Sequence, residues 1–321
     1  MIKPVVAIHG GAGAISRAAM SVDAEREYRD ALTHVLLSAQ AVLARGGSAL
    51  EGVVQAVSLL EDCPLFNAGK GAVFTSAGTH ELDASIMEGS ALNCGAVANV
   101  AHVKHPVLAA LAVLKHSNHV FFVAKGAEEF AQAQGLEMVA NDYFSTPHRK
   151  EQWLRVARDF PGQAILDHDA ELAAAKQAPL DPDRKFGTVG AVAVDANGNV
   201  AAATSTGGVT NKQLGRVGDA PLIGAGCYAA NRTAAVSTTG TGEMFIRMVA
   251  AYDVAALMEY AGLSLEQAAH KVVHEKLPTI QGQGGLIAVD ALGNVTMPFN
   301  TEGMYRGYAR QGEVPFVAIY R

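Results

Sequence analysis

Threonine 188 opens the one stretch of this chain that reads as chemistry and not packing: Lys185-Phe186-Gly187-Thr188-Val189-Gly190, running straight into Ala-Val-Ala-Val-Asp195. Upstream, Asp167 to Arg184 carries Pro179, Pro182 and several charges, a breaker-rich segment. A threonine at the head of a strand, behind a glycine and such an arm, fits self-processing. Once the Gly187–Thr188 bond is cut, one residue holds both a hydroxyl nucleophile and a free α-amine. That amine is a recognised base for threonine. Its reference pKa of about 7.7–8.0 lies far nearer to neutrality than a lysine near 10.4, and apolar surroundings depress it further. Gly187, without a Cβ, would let the backbone take a strained conformation at the cleavage point. Taken alone, Gly-Thr-Val-Gly describes a loop entering a buried strand, so the weight falls on what lies downstream.

Three clusters follow. Thr204-Ser205-Thr206-Gly207-Gly208 ends the run that pairs with the Thr188 strand through Asn197-Gly198. An antiparallel hairpin returns Thr206 to Thr188, where it can bond the amine or the hydroxyl. Gly215-Arg216-Val217-Gly218-Asp219 sets a carboxylate-gripping guanidinium beside an ammonium acceptor, which matches an α-amino-acid zwitterion. Without that context the pair reads as a surface salt bridge worth roughly 0–1 kcal/mol. Thr238-Thr239-Gly240-Thr241-Gly242-Glu243 runs from a strand into a helix, and free amides at such a start suit an oxyanion. The same residues also serve as an ordinary N-cap through Thr239 or Thr241.

Competing signals are thinner. His9-Gly10-Gly11-Ala12-Gly13 is similar to the oxyanion loop of some esterases, but no Gly-x-Ser-x-Gly accompanies it, so it is read as a tight turn beside the active centre. His270 and His274 have the i, i+4 spacing of zinc ligands, yet Lys271 stands where a metalloprotease needs glutamate; they are read as structural or solvent-facing.

The elements that must hold these groups alternate. The chain has 321 residues, half of them apolar, 33 glycines and a formal charge of −6, enough for a large core and without the basic stripe of a nucleic-acid binder. Cys63, Cys94 and Cys227 form no Cys-x-x-Cys pair, and no secretory leader is visible, so a cytoplasmic location is expected. The longest apolar run, Pro106 to Ala124, is broken by Lys115, His116, Asn118 and His119, so no membrane span is expected. Strands are expected at Pro4–Ile8, Glu81–Met87, Gly95–Val100, Val120–Val123, Thr188–Asp195, Val200–Ser205, Leu222–Tyr228, Thr233–Thr238, Leu286–Asp290, Val295–Pro298, Gly303–Tyr308 and Pro315–Ile319. Helices are expected at Glu25–Arg45, after the capping box Ser48/Glu51, near Pro106–Lys115, Gly126–Gln134 and Arg149–Arg158, over Thr241–Tyr260, and from Ser264 to His274. Residues 160–186 show no periodicity, and a loop of that length calls for a functional reason. Two blocks of strands, each followed by helices, imply two sheets between helical layers.

Gly187-Thr188-Val-Gly-Ala-Val-Ala, Thr-Ser-Thr-Gly-Gly, Gly-Arg-Val-Gly-Asp and Thr-Gly-Thr-Gly-Glu, in this order, closely resemble the plant-type L-asparaginases, or isoaspartyl peptidases, among the N-terminal-nucleophile (Ntn) hydrolases. The resemblance runs from His9-Gly-Gly-Ala-Gly to Asn300-Thr-Glu-Gly-Met and looks closest to bacterial members. It implies an α+β fold, a four-layer αββα sandwich forming one structural domain. It further implies autocleavage into residues 1–187, ending in a flexible linker from about 160, and residues 188–321, with two of each fragment in a heterotetramer. Carried over, Thr188 is the nucleophile and Thr206 orients it. Arg216 takes the substrate carboxylate and Asp219 its ammonium. Thr239 and Gly240 hold the oxyanion, Gly218 and Gly242 line the pocket, and Asn67 faces the nucleophile before maturation. Leu60, Glu61, Cys63, Phe66, Ala68 and Lys70 match a loop that holds a structural sodium ion, mainly through backbone oxygens. No organic cofactor is implied. The substrates would be asparagine and β-aspartyl dipeptides. Two alternatives stand beside this: glycosylasparaginase, against which the missing leader and the lack of an Asp-Thr-Ile-Gly start speak, and an amino-acid-binding protein that keeps the scaffold uncut.

Overall fold

Apolar side chains alternate along residues 5–8, 189–194 and 200–203, and both sets are buried. Val6, Ile8, Val189, Ala191, Ala193, Ala201 and Ala203 join one core, while Val5, Ala7, Val192, Val194, Val200 and Ala202 join a second. A strand buried on both faces must lie in a sheet with a layer on each side. The computed structural model, which describes residues 2–15, 17–159 and 185–321, shows those layers.

The large sheet runs in the order β13 (Phe316–Tyr320), β12 (Gly303–Arg310), β1 (Val5–Gly13), β6 (Val189–Val194), β7 (Val200–Thr206), β2 (Leu82–Glu88), β3 (Cys94–Val100) and β4 (Phe121–Val123). The short β5 (Lys185–Phe186) pairs with β1 at Ala12 and Gly13. Only the β3–β4 pair is parallel among these described strands. The small sheet is antiparallel, in the order β11 (Val295–Thr296), β10 (Gly284–Asp290), β9 (Ala234–Gly240) and β8 (Cys227–Ala229). Helices α1 (Val22–Ala44), α2 (Ala49–Asp62) and α3 (Pro106–His116) cover the outer face of the large sheet. Next come α4 (Ala124–Ala133) and α5 (Pro147–Asp159). The last helices are α6 (Gly242–Met248), α7 (Ala250–Ala261) and α8 (Leu265–His270), the latter two packed on the outside of the small sheet. The sheets face each other through β1, β6 and β7 on one side and β9 and β10 on the other. The result is the expected four-layer αββα sandwich.

Local chemistry explains most boundaries. Ser48 and Glu51 form the expected reciprocal capping box, with Glu51 N–H to Ser48 Oγ at 3.2 Å and Ser48 N–H to Glu51 Oε2 at 2.8 Å. Four expectations need correction. The strand foreseen at Pro4–Ile8 does not end in a tight turn; it continues to Gly13, with its register shifted between His9 and Ala12. Gly11, at φ 109°, supplies the backbone conformation that such a bulge demands. The strand foreseen at Leu222–Tyr228 keeps only Cys227–Ala229. Residues 222–226 curl instead, Leu222 N–H donating to Asp219 O at 2.9 Å and Ala225 N–H to Leu222 O at 2.9 Å. The helix foreseen over Thr241–Tyr260 breaks at Val249, which sits at φ 50°. These last two share a cause. The amides freed by the break find the curled segment, Tyr252 N–H donating to Gly224 O at 2.8 Å and Ala251 N–H to Ala225 O at 3.2 Å. The helix from Ser264 is α-helical only to His270 and widens to a π turn over Lys271–Lys276. There the Asn300 side chain donates to Val273 O at 3.0 Å, an insertion of the kind that loosens a helical ladder. The linker expected from about residue 160 lies outside the described residues up to Arg184.

A left-handed conformation costs a β-branched residue about 1–2 kcal/mol, and glycine adopts it freely. Val249→Gly is therefore expected to leave urea-unfolding stability at or above wild type, although valine to glycine inside an exposed helix costs stability. A loss of about 1 kcal/mol or more would mean that the helix runs through unbroken.

Candidate active site

The hairpin register places the nucleophile candidate. Val189 pairs with Ser205, so Thr188, one residue outside β6, faces Thr206 at the end of β7. Both side chains are buried, and Thr188 Oγ1 donates to Thr206 Oγ1 at 3.2 Å. Thr206 Oγ1 also accepts the Gly208 N–H at 2.9 Å, which fixes its rotamer. The carbonyl of Thr188 itself receives a bond from His9 Nδ1 at 3.0 Å.

Asn67 closes the site from the other side. Its backbone N–H donates to Gly187 O at 3.2 Å and its carbonyl accepts Gly207 N–H at 3.0 Å. Its side chain donates to Gly208 O at 2.7 Å and accepts Val73 N–H at 2.9 Å. The reason for glycine at 187 differs from the expected one. Gly187 is not among the positive-φ residues; what it supplies is space, because a Cβ there would overlap the Asn67 side chain.

Thr188, Thr206 and Gly208 share one cleft with Arg216, Gly218, Asp219, Gly240 and Gly242. Residues 54 positions apart in the chain thus converge on one opening. Thr239 is fully buried next to Gly240, and its Oγ1 has no hydrogen-bond partner among the described residues. Thr241 stands at the N-cap of α6 without a side-chain cap bond; its hydroxyl goes to Gln283 O at 3.2 Å instead.

Two groups of opposite charge, Arg216 and Asp219, line the cleft. Arg216 offers one edge of its guanidinium to Glu243, with Nε and Nη2 at 2.9 and 2.8 Å from Oε1. The rest faces the cleft. Asp219 is buried and accepts the Thr238 hydroxyl at 2.7 Å. Burial pushes its carboxyl up to about 6, against the opposing pull of that bond. Glu243 was visible only as the end of a motif; its pairing with Arg216 spans 27 residues and no spacing rule predicts it.

The loop matched to a sodium site follows α2. Lys70 N–H donates to Glu61 O at 2.7 Å and Phe66 N–H to Cys63 O at 3.3 Å. Gly69 and Gly71, at φ 50° and 99°, let the loop close on its own carbonyls: a Cβ on Gly69 would overlap Glu61 O, and one on Gly71 would lie 2.6 Å from Pro64 O. The carboxylate of Glu61 points elsewhere, accepting Ser205 Oγ–H at 2.6 Å and Val107 N–H at 3.0 Å, and burial raises its pKa. Leu60, Ala68 and Phe66 are buried beside it. His270 and His274 have ring centroids 4.5 Å apart with their planes tilted by 35°, and neither lines the cleft. Among the described residues no helix is long and apolar enough to cross a membrane.

Two sheets between helical layers, with a threonine heading a central strand beside a polar cleft, make the architecture of an Ntn hydrolase. The sequence comparisons specify it further: the asparaginase family model matches residues 2–319, and the chain belongs to that family. The isoaspartyl peptidase of Salmonella typhimurium is 59% identical over 321 residues, covering all of both chains. That of Escherichia coli is 57% identical over all of this chain and 97% of its own. The human isoaspartyl peptidase/L-asparaginase is 36% identical over 98% of this chain and 96% of its own.

Asp219 carries its charge only above about pH 6. An amino-acid ligand whose ammonium meets it should bind best above that value. As pH falls through it, the affinity should weaken toward tenfold per unit. Calorimetric titration with L-aspartate from about pH 4.5 to 7.5 reads this directly, and Asp219→Asn should flatten the dependence while weakening binding. A flat wild-type profile would remove Asp219 from the ammonium site.

Proposed function

We propose that the protein is an autoproteolytically activated amidohydrolase that cleaves β-aspartyl dipeptides and L-asparagine to release L-aspartate. The observation that carries this is the contact of Thr188 Oγ1 with Thr206, directly behind Gly187 and in one cleft with Arg216 and Asp219. The activities named for the relatives supply the reaction type.

In the precursor, Thr188 Oγ attacks the Gly187 carbonyl, whose oxygen already accepts the Asn67 N–H. The acyl group moves from nitrogen to oxygen, and water hydrolyses the ester, leaving fragments 1–187 and 188–321. In the mature enzyme Arg216 grips the substrate α-carboxylate and Asp219 the ammonium, which leaves the β-carbonyl at the Thr188 hydroxyl. The freed α-amine takes the hydroxyl proton as Oγ attacks. The oxyanion forms against Thr239 and Gly240, where each donor is worth about 3–4 kcal/mol in acyl transfer. The amine then protonates the leaving group, ammonia or an amino acid, and water releases aspartate and restores Thr188. Two of each fragment make the working particle, in the cytoplasm.

Thr188→Ala is expected to stay a single chain with no measurable hydrolysis. Wild type should show two bands on a denaturing gel, a new amino terminus at Thr188, and a native mass twice that of one chain. Activity in a Thr188→Ala protein, or wild-type turnover with no terminus but the initiator, would defeat the reading. Parallel assays on asparagine and a β-aspartyl dipeptide give the preference between the two substrates.

We also propose that the loop from Leu60 through Glu61, Cys63, Phe66 and Ala68 to Lys70 holds a sodium ion on its carbonyls. The cradle left by Gly69 and Gly71 supports this, and oxygen donors suit a hard cation. The ion would neutralise converging carbonyl dipoles and stiffen the loop that carries Asn67; the Lys70 ammonium lies out over the Tyr143 ring at 4.8 Å. Thermal unfolding should occur at a higher temperature in sodium chloride than in choline chloride of equal ionic strength. Equal midpoints would exclude the ion.

A further inference from the structure

His9 has no part in the chemistry above, yet it is fully buried and touches the nucleophile residue. Its ring lies between the two sheets. Nδ1 is 3.0 Å from Thr188 O, and Nε2 is 2.9 Å from Ser237 Oγ on β9. Ser237 Oγ is in turn 2.7 Å from Thr204 Oγ1 on β7. All three side chains are completely inaccessible.

The protons of this chain can be assigned. A carbonyl only accepts, so Nδ1 must carry the hydrogen. Burial drives the imidazole pKa down to about 3, so the ring is neutral and Nε2 is an acceptor. Ser237 therefore gives its single proton to Nε2, and Thr204 supplies the proton of the contact between the hydroxyls. Thr204 shares that proton with Gly226 O, to which it also donates at 3.0 Å, and Gly226 O accepts Thr238 N–H at 3.0 Å as well. Gly190 makes room: a Cβ there would overlap Ser237 Oγ and lie 2.5 Å from His9 Nε2.

Period-2 geometry gives the relay its meaning. Thr204 is two residues before Thr206 on β7, and Ser237 two before Thr239 on β9. Each of the two hydroxyl members is thus the same-face neighbour of a candidate site residue. The relay is also a polar crossing from the large sheet, which carries Thr188 and Thr206, to the small sheet, which carries Thr239 and Gly240. Cleavage removes the covalent anchor on the amino side of Thr188, and the bond from His9 holds its peptide plane from the carboxyl side.

We infer that His9, Ser237 and Thr204 are positioning residues: a neutral hydrogen-bond relay that fixes the peptide plane of Thr188 against the oxyanion donors of the opposite sheet. This rests on the nucleophile reading of Thr188. A misplacement of about 1 Å is worth on the order of 100-fold in rate, and the relay spans the gap where such a slip would occur.

The test separates the two ring nitrogens. An asparagine amide nitrogen falls near the position of Nδ1 and a glutamine one near that of Nε2. His9→Asn should retain donation to Thr188 and stay within about tenfold of wild-type kcat, while His9→Gln should lose on the order of 100-fold. Rates are normalised to cleaved protein. KM should stay within about twofold in both, because Arg216 and Asp219 are untouched. Equal kcat in wild type and His9→Gln, or an equal fall in both variants, would overturn the inference. If His9→Gln does not fold, nitrogen-15 NMR of the wild-type imidazole decides. The ring should remain the neutral Nδ1–H tautomer from about pH 5 to 8; the Nε2–H tautomer, or titration in that range, would refute the relay. Activity surviving in Thr188→Ala would instead refute the nucleophile reading, whatever the His9 variants do.

Discussion

The inner faces of two packed sheets exclude solvent, and a polar group caught there must find its partner within the protein or cost the fold several kcal/mol. That constraint organises this molecule. Along β1, β6 and β7 the inter-sheet positions are apolar at one end, with Val5, Ala7, Val192, Val194, Val200 and Ala202. At the other end the same alternation turns polar, with His9, Thr188, Thr204 and Thr206. The cleft is where the two sheets stop being a hydrocarbon sandwich and become a hydrogen-bonded one.

Nearly every polar side chain at that end is satisfied by a neighbour from a different element. Thr188 bonds Thr206, His9 bonds Ser237, Thr238 bonds Asp219, and on the helical face Ser205 bonds Glu61. β7 is consequently held from both sides at the level of the cleft, by the small sheet through Thr204 and by the end of α2 through Ser205. A strand anchored on both sides resists the slip of about 1 Å that costs a positioned reaction on the order of 100-fold. Thr239 Oγ1 is a buried hydroxyl without a protein partner among the described residues, and it sits where the reaction is proposed to place developing negative charge.

Charge follows the same economy of space. Arg216 and Asp219 are close enough to receive the two ends of one amino acid, yet each is tied back, to Glu243 and Thr238 respectively. Glu243 is substantially exposed, so its attraction for Arg216 is screened and serves orientation more than stability. Asp219 is buried, and its desolvation is the larger effect; an incoming ammonium would relieve it.

Period and punctuation determined much of this protein before any coordinates. The Asn197-Gly198 hairpin fixed Thr188 opposite Thr206, because antiparallel pairing allows a single register there. The Ser48/Glu51 box, the alternation along the strands and the two strand blocks yielded the four layers. Local rules failed where a distant group outbid local preference. Nothing near Val249 forecasts a break; it exists because the carbonyls of Gly224 and Ala225 meet the amides that it frees. Leu222 and Ile223 look like strand until the chain must curl to present those carbonyls. His9 looked like part of a turn, since its partners lie 179 and 228 residues away. The residues that could react were written in the sequence as types and spacings. How they are held, and why glycine stands at 187, only the packing of one sheet on another decided, because contact across that gap has no periodicity along the chain.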